Sequence, residues 1–198
     1  MATELPALPQ NLVTGLLEIV QALDRHGIRY ALIGGLATSY RSRPRFTQDI
    51  DLMLEIPQVT LPGLLDDLHA RGFTFEMEPT IRRWIREHMV VISFRNVRVD
   101  WLKPLIDCYK HVLENATTES WLGAKIQVAS PESLILTKLI AFRTQDQLDI
   151  ENLLEANRGL LDLELIRREW QTVGESDDIR MKRFGEMLTQ FYSPPAPS

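Results

Sequence analysis

A single cysteine, Cys108, stands in the 198 residues of this chain. That excludes an intrachain disulfide and leaves no thiol cluster for zinc. The four histidines, His26, His69, His88 and His111, are scattered without metal-ligand spacing and read as surface or boundary residues. No apolar run reaches the roughly 18 residues that a membrane span requires. The first residues hold Glu4 and two prolines where a secretion signal would have a basic start and an apolar stretch, so a cytoplasmic protein is expected. Positive charge is not in excess: 22 Lys and Arg against 27 Asp and Glu give a formal net charge of −5. That excludes a global basic field for nucleic acid, though Arg41, Arg43 and Arg45, and Arg82, Arg83 and Arg86, form local clusters. Neither Gly-x-Ser-x-Gly nor a Walker-type Gly-Lys-Ser/Thr occurs, and no internal repeat is present. The hydrophobic fraction, 44%, is that of a globular chain with a real core.

Periodicity divides the chain in two. Leu12, Val13, Leu16, Leu17, Val20 and Leu23 predict an amphipathic helix over 9–26, with Gly27 as its cap. Ile28–Ile33 reads as a buried strand, Leu36–Arg41 as a short helix, Asp49–Glu55 as a strand and Leu61–Arg71 as a helix ended by Gly72. Two β-rich runs, His88–Phe94 and Val97–Leu102, flank Arg95-Asn96 and predict a hairpin despite unfavoured turn residues. A helix over 106–115 and a strand over 125–129 follow. Ser130-Pro131-Glu132 then opens a nearly all-helical stretch, 131–143, 146–157, 162–173 and 176–191. The expectation is an α/β unit over 1–129, a helical unit over 130–192 and a solvated tail over 193–198.

The most informative feature is Asp49-Ile50-Asp51. On a strand, residues i and i+2 share a side, so the two carboxylates project together while Ile50, Leu52 and Leu54 point into a core. Like charges held side by side repel unless a cation sits between them. An oxygen-only ligand set suits Mg²⁺ completed by substrate phosphates. Gly34-Gly35, between a strand and a helix, would let backbone amides approach an anion at the helix N-terminus. Either feature alone also fits a tight turn or a surface strand. Together they make one strand–turn–helix–strand unit that brings a phosphate cradle beside a metal site. Asp100 shares the polar face of its run with Arg98, opposite Val97, Val99 and Trp101. It is either the third carboxylate of a two-metal site or an exposed acid paired with Arg98.

These residues, Gly34-Gly35, then Arg45-x-Thr47-x-Asp49-Ile50-Asp51, then Asp100 after a hairpin, resemble the polymerase-β-like nucleotidyltransferase superfamily over residues 28–102. The segment Lys138–Ile150, with Lys138, Arg143, Asp146 and Asp149, looks like the lysine–arginine–aspartate segment of AbiEii-type nucleotidyltransferases, toxins of abortive-infection and type IV toxin–antitoxin systems. The resemblance implies a small mixed-sheet core with flanking helices and a C-terminal helical bundle. It implies two Mg²⁺ ions (Mn²⁺ as a substitute) held by Asp49, Asp51 and Asp100, and a nucleoside triphosphate held by Gly34, Gly35, Arg45 and Thr47. Lys138 would assist, with Arg143, Asp146 and Asp149 in support. The acceptor it implies is tRNA or other RNA, with a cognate antitoxin as partner. The acidic charge equally admits an aminoglycoside-type adenylyltransferase, and a catalytically silent nucleotide-binding module is the third reading. On physical grounds alone, Lys138 among Leu134, Ile135, Leu139 and Ala141 needs an anion or must reach water along its stem. A triphosphate, Asp146 or Asp149 would serve.

Overall fold

The computed structural model describes residues 8–192, so the predicted tail over 193–198 and the region around Glu4 lie outside the described residues. Chain order is α1 (Gln10–Arg25), β1 (Arg29–Ile33), α2 (Gly34–Arg41), β2 (Asp49–Glu55), α3 (Leu61–Ala70), β3 (Phe73–Thr74), α4 (Met77–Arg86), β4 (Met89–Phe94), β5 (Val97–Leu102), α5 (Asp107–Glu114), β6 (Thr117–Trp121), β7 (Ala124–Val128), α6 (Pro131–Ala141), α7 (Thr144–Ala156), α8 (Leu163–Trp170) and α9 (Ile179–Tyr192). The seven strands form one mixed sheet in the order β3-β4-β5-β2-β1-β7-β6. The β1–β2 pair is antiparallel, while β2–β5 and β1–β7 are parallel. The α/β class read from the sequence is thus observed.

The register of the central strands is fixed by what they bury. Ile50, Leu52 and Leu54 on β2, with Leu32 on β1 and Val99 and Trp101 on β5, are fully buried on one face under α1, α3 and α4. Each such side chain contributes about 1.5–3 kcal/mol. A one-residue slip of β2 would exchange three of them for Asp49, Asp51 and Met53, which makes it prohibitive. The apolar alternation therefore aims both aspartates at the opposite face, where α2, α5 and α6 pack.

The hairpin joining β4 and β5 turns at Arg95 and Asn96, with φ of 45° and 68°. Both residues adopt the left-handed conformation of a tight two-residue turn although neither is glycine. Two strands were not expected. The segment Thr117–Trp121 forms edge strand β6, in which only Trp121 is buried, so it lacks the apolar alternation that announces a strand. The two-residue β3 is too short for periodicity to register. The last four helices pack onto the α2 and α5 side, and their buried residues, Leu134 to Leu188, belong to the same hydrophobic cluster as the sheet. None of the described helices is long and apolar enough to cross a membrane.

Candidate active site

The site forms where β1 ends, α2 begins, and β2 and β5 run side by side. Ile33 is in register with Asp51, and Asp51 with Asp100, while Asp49 lies opposite Arg98. Paired residues of neighbouring strands share a face. Asp49 and Asp51, which share a side as their spacing predicted, therefore stand with Asp100 on one patch of the sheet. Gly34 turns the chain out of β1 with φ of +64°, and a Cβ added there would overlap the Asp51 carboxylate. A Cβ on Gly35 would stand 2.7 Å from Thr47 Oγ1 and 2.9 Å from Arg45 Nη2. The glycine pair is thus required twice, for backbone conformation and for close approach. The Gly35 amide lies beside the Asp51 carboxylate and acts to lower its pKa.

The loop between α2 and β2 is held by Ser39, whose hydroxyl donates to Arg45 O and accepts from Arg45 N, both at 3.2 Å. It brings Arg45 and Thr47 to the mouth of the glycine turn. The neighbouring arginines are engaged elsewhere. Arg41 reaches across to Glu119 (2.8 Å) and the Ala129 carbonyl (3.1 Å), and Arg43 pairs with Glu155 (2.6 Å).

The far wall comes from α6 and α7. Lys138 is 5% exposed and its Nζ lies 2.7 Å from Asp149 Oδ2 and 3.1 Å from Asp146 Oδ1. Arg45 Nη2 also donates to Asp149 Oδ2 (2.9 Å), and Gln145 Nε2 donates to Asp149 Oδ1 (3.1 Å). Phe142 ends α6 in a left-handed conformation, and Arg143 follows, donating from its backbone N (3.0 Å) and its Nε (2.7 Å) to Asp146 Oδ2. Three cations, Arg45, Lys138 and Arg143, thus surround two buried aspartates, leaving one positive charge in surplus. Burial raises the Asp146 pKa, but the Arg143 hydrogen bond and the charge of Lys138 outweigh it and hold the carboxyl below its ordinary value.

These groups line a cavity of about 480 Å³ that contains Gly34, Gly35, Thr47, Asp49, Asp51 and Asp100 together with the Lys138 cluster. Every site residue predicted from the sequence lines it except Asp149, which is buried behind it. Sequence reasoning missed the part played by Gln145. It offered Arg98 only as a surface partner of Asp100, whereas Arg98 Nε sits 2.8 and 2.9 Å from the two Asp100 oxygens inside the cleft.

The carboxylate patch carries unrelieved charge. Burial pushes the Asp51 pKa up, and the nearby Asp100 and Asp49 charges push it further against the opposing Gly35 amide and Lys138. As the side chains stand, no three of the described His, Cys, Asp and Glu residues enclose a metal position, and Arg98 neutralises Asp100. The donor set nonetheless fits a divalent ion: all oxygen, on one face, mutually repulsive, and with the arginine that pairs with Asp100 56% exposed.

A sheet that sets a glycine turn, an Asp-x-Asp strand and a third aspartate on the parallel neighbour around one cleft is the architecture of a nucleotidyltransferase. The chain belongs to the family described as nucleotidyl transferase of unknown function (DUF2204), whose model matches residues 12–184. No curated protein matches it in sequence. Among solved structures it is similar to the antibiotic-resistance factor ANT(2″)-Ia in solution, with 14% identity and a TM-score of 0.55 over 90% of this chain and 95% of that one. It is similar to the same factor in complex with adenylyl-2″-tobramycin, with 17% identity and a TM-score of 0.54 over 81% and 97%. A putative nucleotidyltransferase from Thermotoga maritima matches at 14% identity and a TM-score of 0.51 over 78% and 98%. At these identities the likeness is one of fold. The chain is an enzyme of the nucleotidyl transferase class.

Gly34→Ala is expected to cost activity more than stability. The left-handed conformation costs a residue with a Cβ about 1–2 kcal/mol, and the methyl group must displace the Asp51 carboxylate. Nucleotidyl transfer should fall by roughly 10²-fold, since misplacement by about 1 Å is enough for such a loss. Circular dichroism should still report a folded protein.

Proposed function

We propose that the enzyme transfers a nucleoside monophosphate from a nucleoside triphosphate, ATP foremost, to an acceptor hydroxyl with release of pyrophosphate, and that it requires Mg²⁺. The observation that supports this most is the register of Asp51 with Ile33 on one side and Asp100 on the other, because it places acids and glycine amides around a single volume. Asp49, Asp51 and Asp100 would hold the metal, which when bound neutralises phosphate charge and lowers the pKa of an acceptor hydroxyl. The amides at the start of α2, with Thr47, Arg45 and Arg143, would bind the phosphate oxygens. Asp100, on the strand farther from the glycine turn, faces the side from which an acceptor enters. Arg98, displaced from Asp100, is within reach of the same oxygens. Chemistry of this kind depends on positioning and charge neutralisation more than on covalent steps.

A second reading makes the enzyme an AbiEii-type toxin that acts on RNA and is neutralised by an antitoxin. What favours it is that the segment from Lys138 to Asp149 forms the wall of the cleft. Against an extended RNA path, Arg82, Arg83 and Arg86 ride on α4. That helix packs through Trp84 against Trp101 (ring centroids 6.0 Å apart) on the sheet face opposite Asp100.

Release of pyrophosphate from ATP, measured with Mg²⁺ and with EDTA over a panel of total RNA, an aminoglycoside and small polyols, tests the proposal. Turnover that vanishes in EDTA and returns with Mg²⁺ is the expected result. Turnover insensitive to chelation would remove the metal, and absence of turnover on every acceptor would leave a silent binding module. Growth arrest on expression, relieved by a co-expressed neighbour, would favour the toxin.

A further inference from the structure

The cleft has a second lobe beside the phosphate site. It shares Gly34, Asp51, Asp100 and Lys138 with that site, encloses about 440 Å³, and is walled beyond them by Ile33, Met89, Leu102, Tyr109, Thr137 and Ala141. A volume of this size suits a small molecule. Its floor is the open part of the sheet face that carries the acids. Val91 is in register with Asp100 and Met89 with Leu102, and Met89 and Val91 are 53% and 40% exposed. The opposite side of β4, with Val90, Ile92 and Phe94, is already buried against the core. The Met89–Val91 stretch of β4 is apolar on both faces and lies beyond the reach of β3, which pairs only with Ser93 and Phe94, so one apolar face stays uncovered beside the reactive centre. Tyr109 contributes an amphipathic edge: its hydroxyl makes no hydrogen bond among the described residues.

Charge decides what that partner is. The charged groups bordering the lobe balance, with Asp51, Asp100 and Asp146 against Arg98, Lys138 and Arg143. Asp146 is committed to Lys138 and Arg143, and Asp51 and Asp100 to the reaction. No carboxylate is left over for a polycation, and no row of free cations for a phosphodiester chain. We infer, on the basis of the transferase reading above, that this lobe is the acceptor subsite and that it takes an uncharged small molecule. The acceptor's apolar body lies on Met89 and Leu102, and its hydroxyl points at Asp100.

Calorimetry on the full chain with methyl, butyl and hexyl β-glucosides, in the presence of a non-hydrolysable ATP analogue, tests this without requiring turnover. Affinity is expected to rise about two- to fourfold per buried methylene. Met89→Asp, at an exposed position, should flatten that rise while leaving affinity for the ATP analogue within twofold. Absence of glucoside binding at every chain length would overturn the inference. So would a chain-length dependence untouched by Met89→Asp, or tobramycin or an RNA hairpin binding more tightly than hexyl glucoside and indifferently to that substitution. Glucoside binding that follows the expected pattern in a protein that never releases pyrophosphate would keep the subsite and sink the transferase reading, so the two failures are separable.

Discussion

Asp51→Asn is expected to abolish nucleotidyl transfer, by roughly 10³-fold or more in kcat, while leaving the melting temperature at or above that of the parent protein. The two effects share a cause. Asp51 is a partly buried carboxylate that faces Asp100 and Asp49, and its pKa is raised by burial first and by Asp100 next. A raised folded-state pKa means that the carboxylate is worse off in the folded chain than in the unfolded one. The parent protein therefore loses stability as pH rises through that folded value. Asparagine has the same shape and carries no charge. Its advantage should be present at neutral pH and fade below the ordinary carboxylate value of 3.8, where both side chains are uncharged. Calorimetric melting at pH 7 and pH 3.5, beside a pyrophosphate-release assay, reads both. A purely structural aspartate would behave oppositely: its loss would lower the melting temperature by about 2–4 °C per kcal/mol and leave activity largely intact.

The same electrostatics explains why this site could be read from sequence as far as it could. An Asp-x-Asp in a strand whose intervening residues are apolar puts two like charges side by side, which beside a glycine pair points to a cation site, and the strand's alternation fixes where the acids point. Gly34 and Gly35 were legible because a glycine pair between an apolar strand and a helix marks a place where the backbone turns or is closely approached. Asp100 was legible only in company, since one acid on a hairpin means little, and the register that sets it beside Asp51 depends on β2 and β5 pairing in parallel across more than 40 residues. The apolar lobe was illegible for the complementary reason. Met89, Val91 and Leu102 look like ordinary strand residues, and that their face stays open is a property of how far α5 and α6 extend. The edge strand β6 hid behind polar residues whose role, through Glu119 and Thr117, is to hold Arg41. In the cation cluster, sequence could say that Lys138 needs an anion or a route to water but not which, because a triphosphate, two aspartates or a stem that reaches solvent satisfies the ammonium equally well on paper.

The resolution of that choice is a stability experiment. Lys138 is buried between Asp146 and Asp149, and removing one partner of a buried pair costs about 3–5 kcal/mol because the other charge is stranded. Lys138→Met keeps the length and apolar stem and deletes only the charge. Arg143 still reaches Asp146 and Arg45 still reaches Asp149, so the loss should lie toward about 3 kcal/mol, a fall of about 6–12 °C in melting temperature for a chain of this size. The double variant Lys138→Met with Asp149→Asn should regain part of that fall, since it removes the stranded charge along with its partner. Kinetics then separates two ways of affecting catalysis. If Lys138 serves by holding α7, and through Asp149 by holding Arg45 at the phosphate turn, the KM for ATP should track the position of Arg45. Arg45→Ala would then raise KM as much as Lys138→Met, and combining the two would add little. A lysine that itself binds the triphosphate predicts independent, additive losses and no thermal rescue by Asp149→Asn. Additivity without rescue would return Lys138 to the catalytic set, and rescue without additivity would make it a positioning residue.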